Sequence, residues 1–179
     1  MRNIVRGIVL VTLALAVGGC AGGQPAQSAS GPAAAAAGSK VCVMQFGGQG
    51  VLRLSVPANI KCTHKNGFLD LTSRNHYVEV WLVPGASTVA QAVAQAGRVI
   101  QSEFQNFKTT TPSDLTVAGA PARHLAAVGN EADDGDPGQA DLIVFQVGPH
   151  IFVGCTHSED VTPGDRQWLR RVIETAQVP

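Results

Sequence analysis

The chain has 179 residues, with 13 basic and 13 acidic side chains, 45% hydrophobic residues and only 15% charged ones. Zero net charge without a basic patch or stripe excludes an electrostatic nucleic-acid binder and a polybasic membrane binder. The length suits one hydrophobic core, and no internal repeat is evident.

Arg2 and Arg6 flank an apolar run, Gly7 to Val17, that is too short to span a membrane. A basic start, a short apolar core and small residues at its exit are the pattern of an export signal. The run ends in Val17-Gly18-Gly19-Cys20, which resembles the lipobox of bacterial lipoproteins. That resemblance implies a signal peptide at 1–19, cleaved so that the thiol and new amino group of Cys20 carry lipid. Each buried acyl CH₂ stabilises attachment by ~0.8 kcal/mol, and two or more chains hold a protein on the membrane lastingly. Val-Gly-Gly would also serve an ordinary signal peptidase, with plain secretion as the result. By the same resemblance, Ala21 stands where an inner-membrane retention signal carries Asp, which implies the outer membrane in a Gram-negative host. Cleavage takes Arg2 and Arg6 away and leaves the mature chain weakly acidic.

Residues 20–39 form a linker. From Ala21 to Ser39 there is no charge and no large apolar side chain. Such a segment cannot bury enough surface to offset its ordering entropy, so it is expected to be a flexible tether with a reach of roughly 25 Å. The folded domain is expected over 40–179.

In that domain Val41 to Phe46 has the apolar, β-branched content of a strand, and a Gly-rich break separates it from an alternating strand, Val51 to Val56, ended by Pro57. Ile60 to Lys65 and Phe68 to Ser73 flank Asn66-Gly67, the strongest hairpin signal in the chain. His76 to Val83 is a further strand, with Val78, Val80 and Leu82 on one face and Tyr77, Glu79 and Trp81 on the other. Ser87 then reads as an N-cap. Val89, Val93, Ala96, Ile100, Phe104 and Phe107 follow at helical spacing, predicting an amphipathic helix of about five turns. Thr116 to Val117 and Ala122 to Val128 are weaker strands, and Asn130 to Gly138 is an acidic Gly/Pro loop. Leu142 to Val147 and Ile151 to Thr156 are strongly β. Thr162-Pro163 opens a second helix, capped by Thr162 with Asp165 at the capping-box position. Its apolar face is Trp168, Leu169, Val172, Ile173 and Ala176. These elements predict an α+β fold: a mostly antiparallel sheet packed with two helices on one or both faces.

This order of elements resembles the PsbP-like superfamily, which includes photosystem II extrinsic proteins and small bacterial lipoproteins of the LpqN type. The matching pieces are Val56-Pro57 before the second hairpin, the long helix after Ala86-Ser87-Thr88, the small-residue turn Val117 to Ala122, and Val147 to Val153 ahead of the last helix. Ile60 stands where that family often has an aromatic. The resemblance spans roughly Val51 to Val178. It implies an α/β sandwich, and members that mainly bind proteins or lipidic ligands.

The chemistry-bearing pattern is a repeated triplet, Cys62-Thr63-His64 and Cys155-Thr156-His157. Residues two apart on a strand share a face, so adjacent strands would bring two sulfurs and two imidazoles together, a set suited to Zn²⁺ or copper. The alternative is a Cys62–Cys155 disulfide in the oxidising compartment an exported protein meets. Three cysteines remain after Cys20 is set aside, so Cys42 competes for either partner. Tyr77 and Trp81 could line an apolar ligand groove or pack under a second layer. Glu131 to Asp136 lacks the spacing of a calcium loop. His76, His124 and His150 have no partner spacing and read as surface or loop residues.

No G-x-S-x-G, P-loop or H-E-x-x-H is present. The sequence therefore predicts no enzyme and no resident cofactor. It points to a lipid-anchored envelope protein, facing the periplasm or exterior, that binds a protein partner or an apolar or lipidic ligand. The alternative is a periplasmic metal-binding protein that uses Cys62, His64, Cys155 and His157.

Overall fold

A computed structural model describes residues 38–48, 50–65 and 67–179. The predicted signal 1–19, Cys20 and the linker up to residue 37 lie outside the described residues.

Two short strands open the domain. β1 (Ser39–Gln45) and β2 (Val51–Pro57) pair antiparallel as a separate hairpin. Leu52, Leu54 and Val56 are buried, as the alternation predicts. β3 (Lys61–Lys65) and β4 (Phe68–Thr72) pair with Lys65 opposite Phe68, the register of a two-residue turn, and Gly67 takes the positive φ that such a turn requires. β5 (Tyr77–Leu82) follows, then α1 (Val89–Glu103).

The remaining strands are β6 (Phe104–Thr109), β7 (Ser113–Val117), β8 (Ala120–Glu131), β9 (Pro137–Val147) and β10 (His150–Ser158), and α2 (Pro163–Ile173) closes the chain. The large sheet has the order β3-β4-β5-β10-β9-β8-β6, with β7 also on β8, and its pairs are antiparallel. Two helices on a mostly antiparallel sheet make this an α+β fold.

The helices take opposite faces. α1 lies over β8, β9, β10 and β6. Its Ala92, Ala96 and Ile100 share a buried layer with Leu142, Val144 and Val153. On the other face α2 lies over β10 and β2, while β1 lies over β3 and β4. Leu169 and Ile173 there meet Leu52, Leu54, Phe145 and Phe152. Gly154 of β10 makes this approach possible: a Cβ there would stand 2.3 Å from Ile173 Cδ1 and 3.2 Å from Leu169 Cδ1.

Three local expectations change. The first helix is shorter than its apolar period, because Phe104 begins β6 in extended conformation. The Phe104 ring is buried where Gly129 and Gly138 face each other across β8 and β9; a Cβ on Gly138 would lie 2.5 Å from Phe104 Cε1. Strand pairing around that slot overrides the helical spacing, and the bulge between Gln105 and Lys108, with Asn106 at φ 52°, brings Phe107 to the same layer as Phe104. The N-cap is Thr88, whose side chain accepts from the Gln91 N–H, and Ser87 instead bonds the Gln91 side chain. The acidic segment is mostly turn, but β8 reaches Glu131 and β9 starts at Pro137. The second helix starts with its expected capping box, and all five of its predicted apolar residues are buried.

Candidate functional site

The cysteines divide between the two faces of the sheet. Cys42 of β1 is bonded to Cys62 of β3, with their Cα atoms 5.9 Å apart. The expected Cys62–Cys155 disulfide is therefore not formed, and Cys155 is a free, buried thiol. The reason is topological. β4 and β5 stand between β3 and β10. Cys62 also packs on the α2 side, whereas Cys155 lies in the α1-side layer. The same geometry removes the proposed metal set. Cys62 is no thiolate, His64 shares its exposed edge strand, and His157 sits two residues from Cys155 on the other face. Burial first, then the Asp141 charge, pushes the Cys155 thiol far up, so it stays protonated and chemically quiet.

The expected aromatic groove also changes. Trp81 is buried in the α1-side layer with Phe68, their ring centroids 5.6 Å apart. It serves as packing there and not as the wall of an open groove. Tyr77 is half-buried, donates its hydroxyl to the Glu79 carboxylate, and meets the His157 ring edge-on at 5.2 Å. Glu131, Asp133 and Asp134 bring carboxylate oxygens within 4.8 Å of one another in the β8–β9 turn. Burial and then the repulsion of Asp134, Asp133 and Asp136 raise the Glu131 carboxyl.

The most organised polar cluster was not legible in the sequence. It lies on the α2 side, where the first turn of α2 meets the sheet. Asp141 of β9 is 1% exposed there, yet ionised. A carboxylate can only accept, so its two partners must donate. His124 of β8 gives its Nε2–H to Oδ1, and Arg166 of α2 gives its Nε–H to Oδ2 at 2.7 Å. Burial alone would push the Asp141 carboxyl up. The two hydrogen bonds and the charges of Arg166 and His124 outweigh it and hold the group below the ordinary aspartate range.

The neighbouring residue makes a second tie. Asp165 Oδ2 accepts from the Thr162 backbone and hydroxyl, completing the helix cap. Its Oδ1 accepts from His76 Nδ1 at 2.7 Å. The His76 ring stacks on Trp168 with centroids 5.5 Å apart. Burial raises the Asp165 carboxyl, and the bonds from Thr162 and His76 more than reverse this. His76 and His124, read from sequence as partnerless, thus both hold aspartates. Asp141 had no signal because it interrupts an apolar strand; one charged residue at the start of Leu142 to Val147 reads as a strand boundary.

Arg166 and His124 are 45% and 34% exposed, so the carboxylate is buried while its partners are open to solvent. Among the described residues, the Arg166 Nη groups and His124 Nδ1 make no protein hydrogen bond. Ser113 of β7 stands directly opposite His124 in the strand register.

No protein-family model matches the chain, and no curated protein matches it. Solved structures similar to it include LpqN of Mycobacterium tuberculosis, described as involved in cell envelope biogenesis. It aligns with a TM-score of 0.47 and 14% identity, over 78% of this chain and 91% of that one. A protein of unknown function from Pseudomonas aeruginosa, PA94, aligns with a TM-score of 0.40 and 13% identity, over 71% of this chain and 86% of its own.

Proposed function

We propose that the chain is a lipid-anchored envelope protein whose PsbP-like domain binds a protein partner or an apolar or lipidic ligand without catalysing a reaction on it. The observation that carries this reading is the Cys42–Cys62 disulfide. Such bonds persist outside the reducing cytosol, in agreement with the basic, apolar and Gly-Gly-Cys20 start of the sequence. The tether would let the domain meet partners near the membrane without fixing its orientation, and an outer-membrane address follows from Ala21 if the host has one. The buried, protonated Cys155 thiol supports binding over thiol chemistry.

The test is fractionation with intact-mass measurement in a bacterial host. The natural chain is expected in the membrane fraction, starting at Cys20 with acyl mass added. Cys20→Ala is expected to lose that mass and leave the membrane fraction. An unlipidated chain cut elsewhere, or a Cys20→Ala chain that stays in the membrane fraction, would overturn the anchor.

A further inference from the structure

We propose that Arg166 and His124, held side by side on Asp141, form a binding site for an oxyanion, phosphate or carboxylate, borne by an amphiphile or free in solution. This gives the binding reading above its ligand chemistry and rests on it.

The argument starts from what Asp141 does to its partners. A buried carboxylate with two charge-assisted bonds fixes both donors at once. The Arg166 side chain would otherwise sample many rotamers in solvent. Here its Nε is pinned, which orients the planar guanidinium and leaves its Nη donors outside the bond to Asp141. His124 is likewise held through Nε2, so its orientation and its remaining nitrogen, Nδ1, are set. Nδ1 donates when the ring is charged and accepts when it is neutral. A phosphate oxygen, bare or protonated, matches either state. The donors are therefore preorganised and lack further protein partners among the described residues, and less freedom is lost when an anion binds.

The surrounding face has the matching character. His124 and Val128 lie on the α2 side of β8, and Lys108 of β6 pairs opposite Val128 on that same side. Val128 is 48% exposed, and Lys108 is exposed. Ser113 adds a hydroxyl opposite His124. Asp165, the carboxylate next to Arg166 in the chain, is engaged by Thr162 and His76. The face thus carries Lys108, His124 and Arg166 around an exposed apolar side chain, complementary to an anionic head with apolar substance beside it.

The experiment follows the His124 ring by NMR in the full-length protein in zwitterionic detergent, with inorganic phosphate titrated against chloride at constant ionic strength. A saturable shift of the His124 ring is expected. Arg166→Gln should weaken phosphate binding by about tenfold or more, as loss of a charge-assisted bond implies. Arg166→Lys keeps a cation able to reach Asp141 but loses the fork, and should weaken binding too. Arg123→Gln, whose arginine pairs with Asp114 on the opposite face of β8, should leave it unchanged. Near-UV circular dichroism of each variant separates lost binding from lost folding. Flotation with phosphatidylglycerol or phosphatidylcholine vesicles, using the Cys20→Ala chain, distinguishes the sources. An Arg166-dependent preference for phosphatidylglycerol identifies a lipid headgroup, and phosphate saturation without that preference identifies a free anion. No saturable shift, or equal affinity in folded Arg166→Gln, overturns the site. That failure leaves the anchor standing, because the anchor is read from mass and fractionation alone.

Discussion

The two faces of the sheet both carry an apolar layer, the larger one on the α2 side, and differ in the polar ties added to it. On the α1 side a helix with a small-residue seam, Ala92 and Ala96, lies on apolar strands, and among the described residues no ion pair ties it to the sheet. On the α2 side the helix is fixed by Asp165 to His76 and by Arg166 to Asp141. Thr175, just past its end, donates to the Ser55 carbonyl, and the hairpin beside it is tied by a disulfide to β3. Hydrophobic burial is non-directional and indifferent to pH. Hydrogen-bonded charges are directional and respond to it. Both layers therefore supply bulk stability, and the α2 side adds a defined polar geometry that can be switched off.

Breaking the disulfide is the largest test of this division. The bond closes a sequence separation of 20 residues, for which chain-entropy reasoning gives about 3 kcal/mol. Cys42→Ala with Cys62→Ala should lower the urea midpoint accordingly, and reductant should do the same to the natural chain. Hydrogen exchange should accelerate in β1, β2 and β3 while α1 keeps its protection. Equal loosening of both faces would show that they are one cooperative unit.

Acid should separate the faces next. Asp141 and Asp165 both have carboxyls below the ordinary aspartate range in the folded state. A depressed folded pKa means that ionisation stabilises the fold. That contribution is complete well above the unfolded value of about 3.9 and is lost as pH falls through the folded values, so the window lies below about pH 4. Urea midpoints measured from neutral to acid should fall in the natural chain. Asp141→Asn should cost about 1–3 kcal/mol at neutral pH, from a buried charge-assisted network, and its acid limb should be flatter. A profile parallel to that of the natural chain would mean that Asp141 contributes no pH-dependent stability.

What could be read beforehand follows the same line. Local patterns with local causes are legible in the sequence: the alternation of Leu52, Leu54 and Val56, the hairpin turn at Gly67 between β3 and β4, and the Thr162 to Asp165 cap. Phe104 and Phe107 read as helix because their spacing is helical; the strand accommodates it only through the bulge at Asn106, and Gly129 and Gly138, far along the chain, make the slot that holds Phe104. The cysteine pairing was missed because strand order, which sets distance, is not a local property; Cys62 and Cys155 sit in matching triplets yet face opposite layers. The Asp141 network escaped for a related reason. Its members come from β8, β9 and α2, and none is near another in sequence.

The smallest test uses one helix as its own control. Arg170 follows Arg166 by one turn and pairs with Glu174 at 2.9 Å, but the two side chains are 58% and 44% exposed. Solvent screens such a pair, and both long side chains lose freedom to make it. Its direction is also unfavourable, since Glu174 adds negative charge at the negative end of the helix dipole. A double-mutant cycle on Arg170 and Glu174 should give a coupling of about 0.5 kcal/mol or less, fading with added salt. The cycle on Arg166 and Asp141 should give a larger coupling that persists in salt, because one partner is out of water. The chemistry of the arginine is the same in both pairs. If the couplings came out equal, burial of the carboxylate would not be what sets Arg166 apart, and the preorganisation behind the anion site would lose its physical basis.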